Sequence, residues 1–323
     1  MQKASIKAII ILIIFGIFLS AIFLKIGLRE FKEASGGVGE KNEKINCEDD
    51  EWAYINLGTH YNLQGSFIKA EEMFKKALEI NPSKEGLYNG LGNIYIQQQR
   101  YKEAEEVFKK GLRIIPNSDL LYVELGHLYN VQQRYKESEK ALEKAIKINP
   151  RNDSAYTKLG ICYVSQQRYK EAEEALKKAL RINSEDGSVF TELGNCYIRQ
   201  QRYKEAEEAY EKSIRISPTD DVAYTELGNY YISQQRYKDA EDALLKAVSL
   251  APNKDGPYIT LGNVYNIQGR YRESEEMYKK TIEINPRNSN AYQGLGDIYR
   301  IVGRHNESEQ MLKKAKEINQ ENK

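Results

Sequence analysis

The chain has 323 residues, enough for two ordinary domains or one long array, and its 48 Lys and Arg against 47 Asp and Glu leave a formal net charge of +1. The two signs are interspersed, often as Lys–Glu pairs a few residues apart, which excludes the basic stripe of a nucleic-acid binder and the acidic tail of a histone-type partner. Cys47, Cys162 and Cys196 form no CxxC and His60, His127 and His305 are scattered, so no disulfide framework, metal site or cofactor is expected.

A short tail, residues 1–7, precedes the first element. Ala8 to Leu24 reads AIIILIIFGIFLSAIFL, 17 residues without a charge. As a helix it spans about 25 Å, and about 31 Å through Leu28 with Lys25 snorkelling, close to the thickness of a bilayer core. Residues 8–28 are therefore expected to form a single-pass transmembrane signal anchor. The small-x-small site that a cleaved signal peptide needs appears only at Ala34-Ser35-Gly36, beyond Arg29, Glu30, Lys32 and Glu33. Lys3 and Lys7 on one side balance Lys25, Arg29 and Lys32 on the other. The short tail tips the expectation toward an extracytoplasmic array, with the opposite topology as the alternative. Gly16 and Ser20, four apart, offer a face through which two anchors could pair into a homo-oligomer. Residues 29–50, with two adjacent glycines, high charge and Cys47, read as a flexible linker.

From Glu51 the sequence divides into eight uninterrupted blocks of 34 (51–84, 85–118, 119–152, 153–186, 187–220, 221–254, 255–288, 289–322). Positions within a block are called places 1–34. Places 7 and 8 are Leu-Gly in every block, from Leu57-Gly58 to Leu295-Gly296, and place 11 is always Tyr. Place 4 is Tyr except for Phe190, and place 20 is Ala except for Ser138, Ser274 and Ser308. Six of the seven prolines occupy place 32, with Ser184 and Gln320 as the exceptions. Places 4, 7, 8 and 11 share one face of a first helix; places 17, 20, 24 and 27 share one face of a second. Proline then ends the second helix. QQRYK, repeated from Gln98, Gln132, Gln166, Gln200 and Gln234, reads as the turn between the helices, with Tyr inward and Arg and Lys in solvent.

These residues resemble the tetratricopeptide repeat (TPR), whose period and W-x2-L-G-x2-Y…A-x3-F…P pattern they follow over residues 51–322. The resemblance implies an all-α, right-handed superhelical solenoid of eight helix-turn-helix repeats, each burying its stripe only against a neighbour. It also implies a non-enzymatic scaffold that binds extended peptide or protein segments on a concave face lined by first helices. Places 2, 5, 6, 9, 12 and 13 are the ones expected to line it. The candidate groove residues are Asn89, Thr157, Thr191 and Thr225 at place 5, and Asn93, His127, Asn195, Asn229, Asn263 and Asp297 at place 9. Three consecutive asparagines would form a ladder of amides for a peptide main chain. Charges in the groove are few and mixed (Glu124, Lys158, Glu192, Arg199, Glu226, Asp297, Arg300), so the expected ligand carries no strong charge. The chaperone-tail clamp of the family needs Lys at place 5, which no block has.

His60, Cys162 and Cys196 share place 10, which the other blocks mark as a packing position. The sequons at Asn152 and Asn306 bear on glycosylation only in a eukaryotic secretory pathway. After Ile318 only NQENK remains, so the last repeat is expected to lack a cap and to offer apolar surface to a second copy or a partner.

Overall fold

The computed structural model describes residues 51–321. The anchor expected over 8–28 and the linker over 29–50, Cys47 included, lie outside the described residues. No helix among the described residues is long and apolar enough to cross a membrane.

Two helices fall in each block, and no strand occurs among the described residues. The pairs are α1 (Glu51–Leu63) with α2 (Phe67–Ile80), α3 (Glu85–Gln97) with α4 (Tyr101–Ile114), α5 (Asp119–Val131) with α6 (Tyr135–Ile148), and α7 (Asp153–Ser165) with α8 (Tyr169–Ile182). They continue as α9 (Gly187–Arg199) with α10 (Tyr203–Ile216), α11 (Asp221–Ser233) with α12 (Tyr237–Leu250), α13 (Asp255–Ile267) with α14 (Tyr271–Ile284), and α15 (Ser289–Ile301) with α16 (His305–Glu321).

Local chemistry sets these boundaries. Ser118, Asn152, Asp186, Asp220 and Asn288, all at place 34, cap the next first helix by accepting a backbone N–H of its opening turn. First helices end in a Schellman turn: the place-16 N–H reaches back to the place-11 carbonyl, as in Arg100 to Tyr95 at 2.8 Å. Place 15 must then take positive φ. Glycine supplies it at Gly65, Gly269 and Gly303, but Gln99, Gln133, Gln167, Gln201 and Gln235 stand there with φ of 59° to 61°. Seven of the second helices end at place 30, α8 at Ile182 even though Ser184 replaces the proline, whereas α16, with Gln320 in place of the proline, runs on to Glu321.

Within a repeat, the place-8 glycine lets the place-24 side chain of the second helix lie flat on the first. A Cβ on Gly160 would stand 2.7 Å from Leu176, and one on Gly194 would stand 2.5 Å from Tyr210. Where place 20 is Ser, its hydroxyl donates to the place-8 carbonyl: Ser138 to Gly126 at 2.8 Å, Ser274 to Gly262 at 2.6 Å, Ser308 to Gly296 at 2.7 Å.

Between repeats, place 10 is buried as expected at Cys162 and Cys196, whose thiols donate to the carbonyls of Tyr135 and Tyr169 one repeat back. His60 is exposed, because among the described residues no repeat precedes it to cover it.

The place-16 arginine corrects the solvent-facing reading of QQRYK. The Arg134 guanidinium lies 4.2 Å above the Tyr129 ring and pairs with Glu105 of the preceding repeat at 2.6 Å and with Glu137 of its own at 2.5 Å. Tyr129 donates its hydroxyl to the same Glu105 at 3.0 Å. This Arg–Tyr–Glu clamp recurs at Arg100, Arg168, Arg202, Arg236, Arg270 and Arg304. The place-17 tyrosines are only partly buried, and Tyr203 is exposed.

The repeat over 289–322 differs from the others. The aromatic at place 17 becomes His305, and the aliphatic at place 28 (Leu78 to Ile282 elsewhere) becomes Lys316. Leu312 is partly exposed, where Leu142, Leu176 and Leu244 at the same place are fully buried. The exposed face of this repeat is thus more polar than the corresponding faces of the others among the described residues.

Candidate functional site

Each first helix touches the first helix of the next repeat, whereas second helices of neighbouring repeats make no comparable contact. First helices therefore form the inner, tighter side of the stack and present places 6, 9, 12 and 13 along it. A concavity on this side lies over α7, α9 and α11, with a volume of about 330 Å³. Val164, Ile198, Tyr210 and Tyr230 supply apolar wall; Glu192, Asn195, Glu226 and Asn229 supply polar groups, and Arg199 and Ser233 stand at exposed positions.

A hydrogen bond fixes part of this wall. The buried Tyr210 hydroxyl donates to Asn195 Oδ1 at 2.7 Å, and Asn195 lies near the Glu192 carboxylate. Burial pushes the Glu192 carboxyl above its ordinary range; the neighbouring Asn195 opposes this, the charge of Glu226 adds to it, and Lys158 relieves a little of it. One repeat earlier, burial raises Glu124 in the same way against the attraction of Lys158. Burial first, then repulsion from Lys158, pulls His127 down to about 4, so its imidazole is neutral at pH 7. Burial also raises the thiols of Cys162 and Cys196 and the phenol of Tyr210.

The expected groove residues fare unequally. Asn195 and Asn229 line the concavity together. Asn229 is exposed with no side-chain hydrogen bond among the described residues, so both ends of its amide are open. Asn263 is exposed too, but its oxygen accepts from Tyr278 at 2.6 Å, so the three asparagines are not an equivalent ladder. Asn93 donates to Asn89 at 2.6 Å. Thr157 and Thr225 donate to the carbonyls of Asp153 and Asp221 on their own helices. Thr191 does not line the groove: it is 3 % exposed, with its hydroxyl 2.8 Å from that of Ser213 on the second helix. Asp297 pairs with Arg300 at 2.8 Å and accepts from Gln293. His127 is partly buried beside Lys158.

The sequence reading missed Tyr210 and Tyr230, having assigned places 24 and 10 to packing only. A signal was present. Place 24 is tyrosine only at Tyr210 and Tyr278, and in both repeats an asparagine stands 15 residues earlier. The asparagine-152 sequon is closed, its amide both capping α7 and donating to Asp119 at 2.8 Å. No cluster of three His, Cys, Asp or Glu suited to a metal occurs among the described residues.

Comparison with known proteins agrees with this architecture. The Cut9 and Hcn1 hetero-tetramer of the APC/C contains a chain that superposes with a TM-score of 0.63 at 14% identity, over 85% of this chain and 54% of that one. The present chain thus spans about half the length of that match. A tetratricopeptide repeat protein from Parabacteroides merdae superposes with a TM-score of 0.58 at 18% identity, over 76% of this chain and 97% of that one. MamA is 29% identical over 51% of this chain and 96% of its own, with a TM-score of 0.46. No curated protein matches the sequence. The model for a tetratricopeptide repeat matches residues 256–321, and the model described as the cilia and flagella-associated protein 70 C-terminal domain matches residues 27–257. That second match covers well over half of the chain, and the protein accordingly belongs to this family of tetratricopeptide-repeat proteins.

Proposed function

We propose that the protein is a scaffold that binds extended segments of partner proteins along its inner groove, held at a membrane by residues 8–28. Tetratricopeptide folds generally mediate protein–protein interaction, and a chain of this fold forms a hetero-tetramer in the Cut9–Hcn1 structure. The observation that carries the reading is the concavity over α7, α9 and α11, where an open amide, two carboxylates and apolar wall converge. Photo-cross-linking tests it. The full chain, carrying a benzophenone side chain at Ser233 on the groove rim or at exposed Glu208 on α10, is irradiated in native cells. Protein adducts from position 233 and none from 208 are expected; equal yields, or none from 233, overturn the groove.

In this reading the array lies outside the cytoplasm. Cys162 and Cys196 are buried to 0 % exposure, so a membrane-impermeant maleimide applied to intact cells reports on Cys47. Labelling supports this topology; labelling only after lysis favours a cytoplasm-facing receptor.

A further inference from the structure

We propose that the groove over α9 and α11 receives a Lys or Arg side chain of the bound segment, its cationic head between Glu192 and Glu226 and its aliphatic stem along Ile198 and the Tyr230 ring. The inference rests on the groove reading above and names the chemistry of its occupant.

Charge complementarity carries it. Place 6 of the four central repeats holds Glu124, Lys158, Glu192 and Glu226, three carboxylates against one ammonium. Acidic side chains of the framework are paired: the place-21 carboxylate of each of the first seven repeats meets the arginine of the next at 2.5–3.0 Å. The place-6 carboxylates make no ion pair among the described residues, although all three are partly buried. A partly buried carboxylate that makes no ion pair is costly, and an incoming cation relieves that cost where an anion would add to it.

The cavity walls favour the same occupant. Ile198, Val164 and the rings of Tyr210 and Tyr230 line the space behind the carboxylates. Tyr210 and Tyr230 pack with their ring centroids 6.3 Å apart. A long side chain with an apolar stem and a charged head matches a cleft lined by apolar wall and two carboxylates. Asn195, near Glu192, is held by the Tyr210 hydroxyl, so little of its order is lost on binding. Arg199 is the one cation among the lining residues; it is exposed, and two carboxylates outweigh it. Asn229, adjacent on α11, is left to meet the main chain of the segment.

The test selects random dodecapeptides displayed on phage against the full chain in detergent. E192Q/E226Q runs beside it, as does E174Q/E208Q, which removes two exposed carboxylates from second helices. Circular dichroism confirms that all three fold alike. The expected result is Lys or Arg enriched several-fold at one position on the wild type and on E174Q/E208Q, with the enrichment lost on E192Q/E226Q. The affinity of a selected peptide should then fall about ten-fold on E192Q/E226Q and weaken with salt. Selected peptides that lack a basic position, or that bind E192Q/E226Q equally well, overturn this inference and leave the groove reading standing. Failure to select any peptide on the wild type removes the groove reading, and this inference with it.

Discussion

Replacing Gly194 by Ala tests the packing logic at the point where it meets the groove. The new Cβ would stand 2.5, 2.7 and 2.8 Å from three atoms of the Tyr210 ring. Non-bonded carbons settle near 3.5–4.0 Å, so the ring must retreat by about 1 Å. It has little room, being 1 % exposed, and its hydroxyl is tied to Asn195. Overpacking of this kind costs about 1–3 kcal/mol. Alanine also gains up to about 1 kcal/mol in helix propensity over glycine, which masks part of the clash. The same change at Gly256, in the first turn of α13 with nothing within 4 Å of its Cβ, isolates the propensity gain. Gly194→Ala should therefore be about 1–3 kcal/mol less stable than Gly256→Ala in urea unfolding. Hydrogen exchange should show the loss concentrated in α9 and α10, because a solenoid yields repeat by repeat. Equal stability of the two variants would refute the claim that glycine is required for close approach at place 8.

Three further outcomes are expected. Arg134→Ala should cost about 1–2 kcal/mol, from the stacking on Tyr129 and the pairing with Glu105, discounted because the arginine side chain is 34 % exposed; a double-mutant cycle with Glu105→Gln, repeated at high salt, should show a coupling that shrinks with ionic strength. Gln201→Gly should stabilise by about 0.5–1 kcal/mol in urea melts, because place 15 holds φ at 59° where a side chain is strained; a loss of stability would contradict that account. Acid titration of the urea midpoint should show two limbs. The folded-state pKa of His127 is pulled down to about 4 from 6.5, so its contribution is present above pH 6.5, fades as pH falls toward 4, and should vanish in His127→Gln. Burial works against ionisation of Glu71, yet hydrogen bonds from Arg100, Lys75 and Tyr95 hold it at about 2 against an ordinary 4.5, and Glu105 sits at about 2 chiefly through Arg134. Stability from these two carboxylates is full above pH 4.5 and is lost between there and pH 2; Arg100→Ala with Arg134→Ala should flatten that limb.

The sequence by itself determined the repeat unit. A 34-residue period with Leu-Gly at places 7 and 8, Tyr at 11 and small residues at 20 specifies two helices per unit and their contact, because these constraints are local and recur. It also placed Cys162 and Cys196 in the core and named places 2, 5, 6, 9, 12 and 13 as inner, of which 6, 9, 12 and 13 line the concavity. What it could not decide was anything that depends on the neighbouring repeat. The arginine of QQRYK reads as a surface charge until the preceding repeat brings a glutamate to within 2.6 Å and the tyrosine ring beneath it. Thr191 reads as groove-facing until Ser213 closes over it, and Asn195 reads as an open amide until Tyr210 reaches across from the second helix. Unpaired carboxylates at place 6 look like ordinary helix surface in one dimension. Only stacking, which sets Glu192 beside Glu226 in a partly desolvated cleft, turns them into a candidate site, since the cost of an uncompensated charge arises from the surroundings that exclude water and counter-ions.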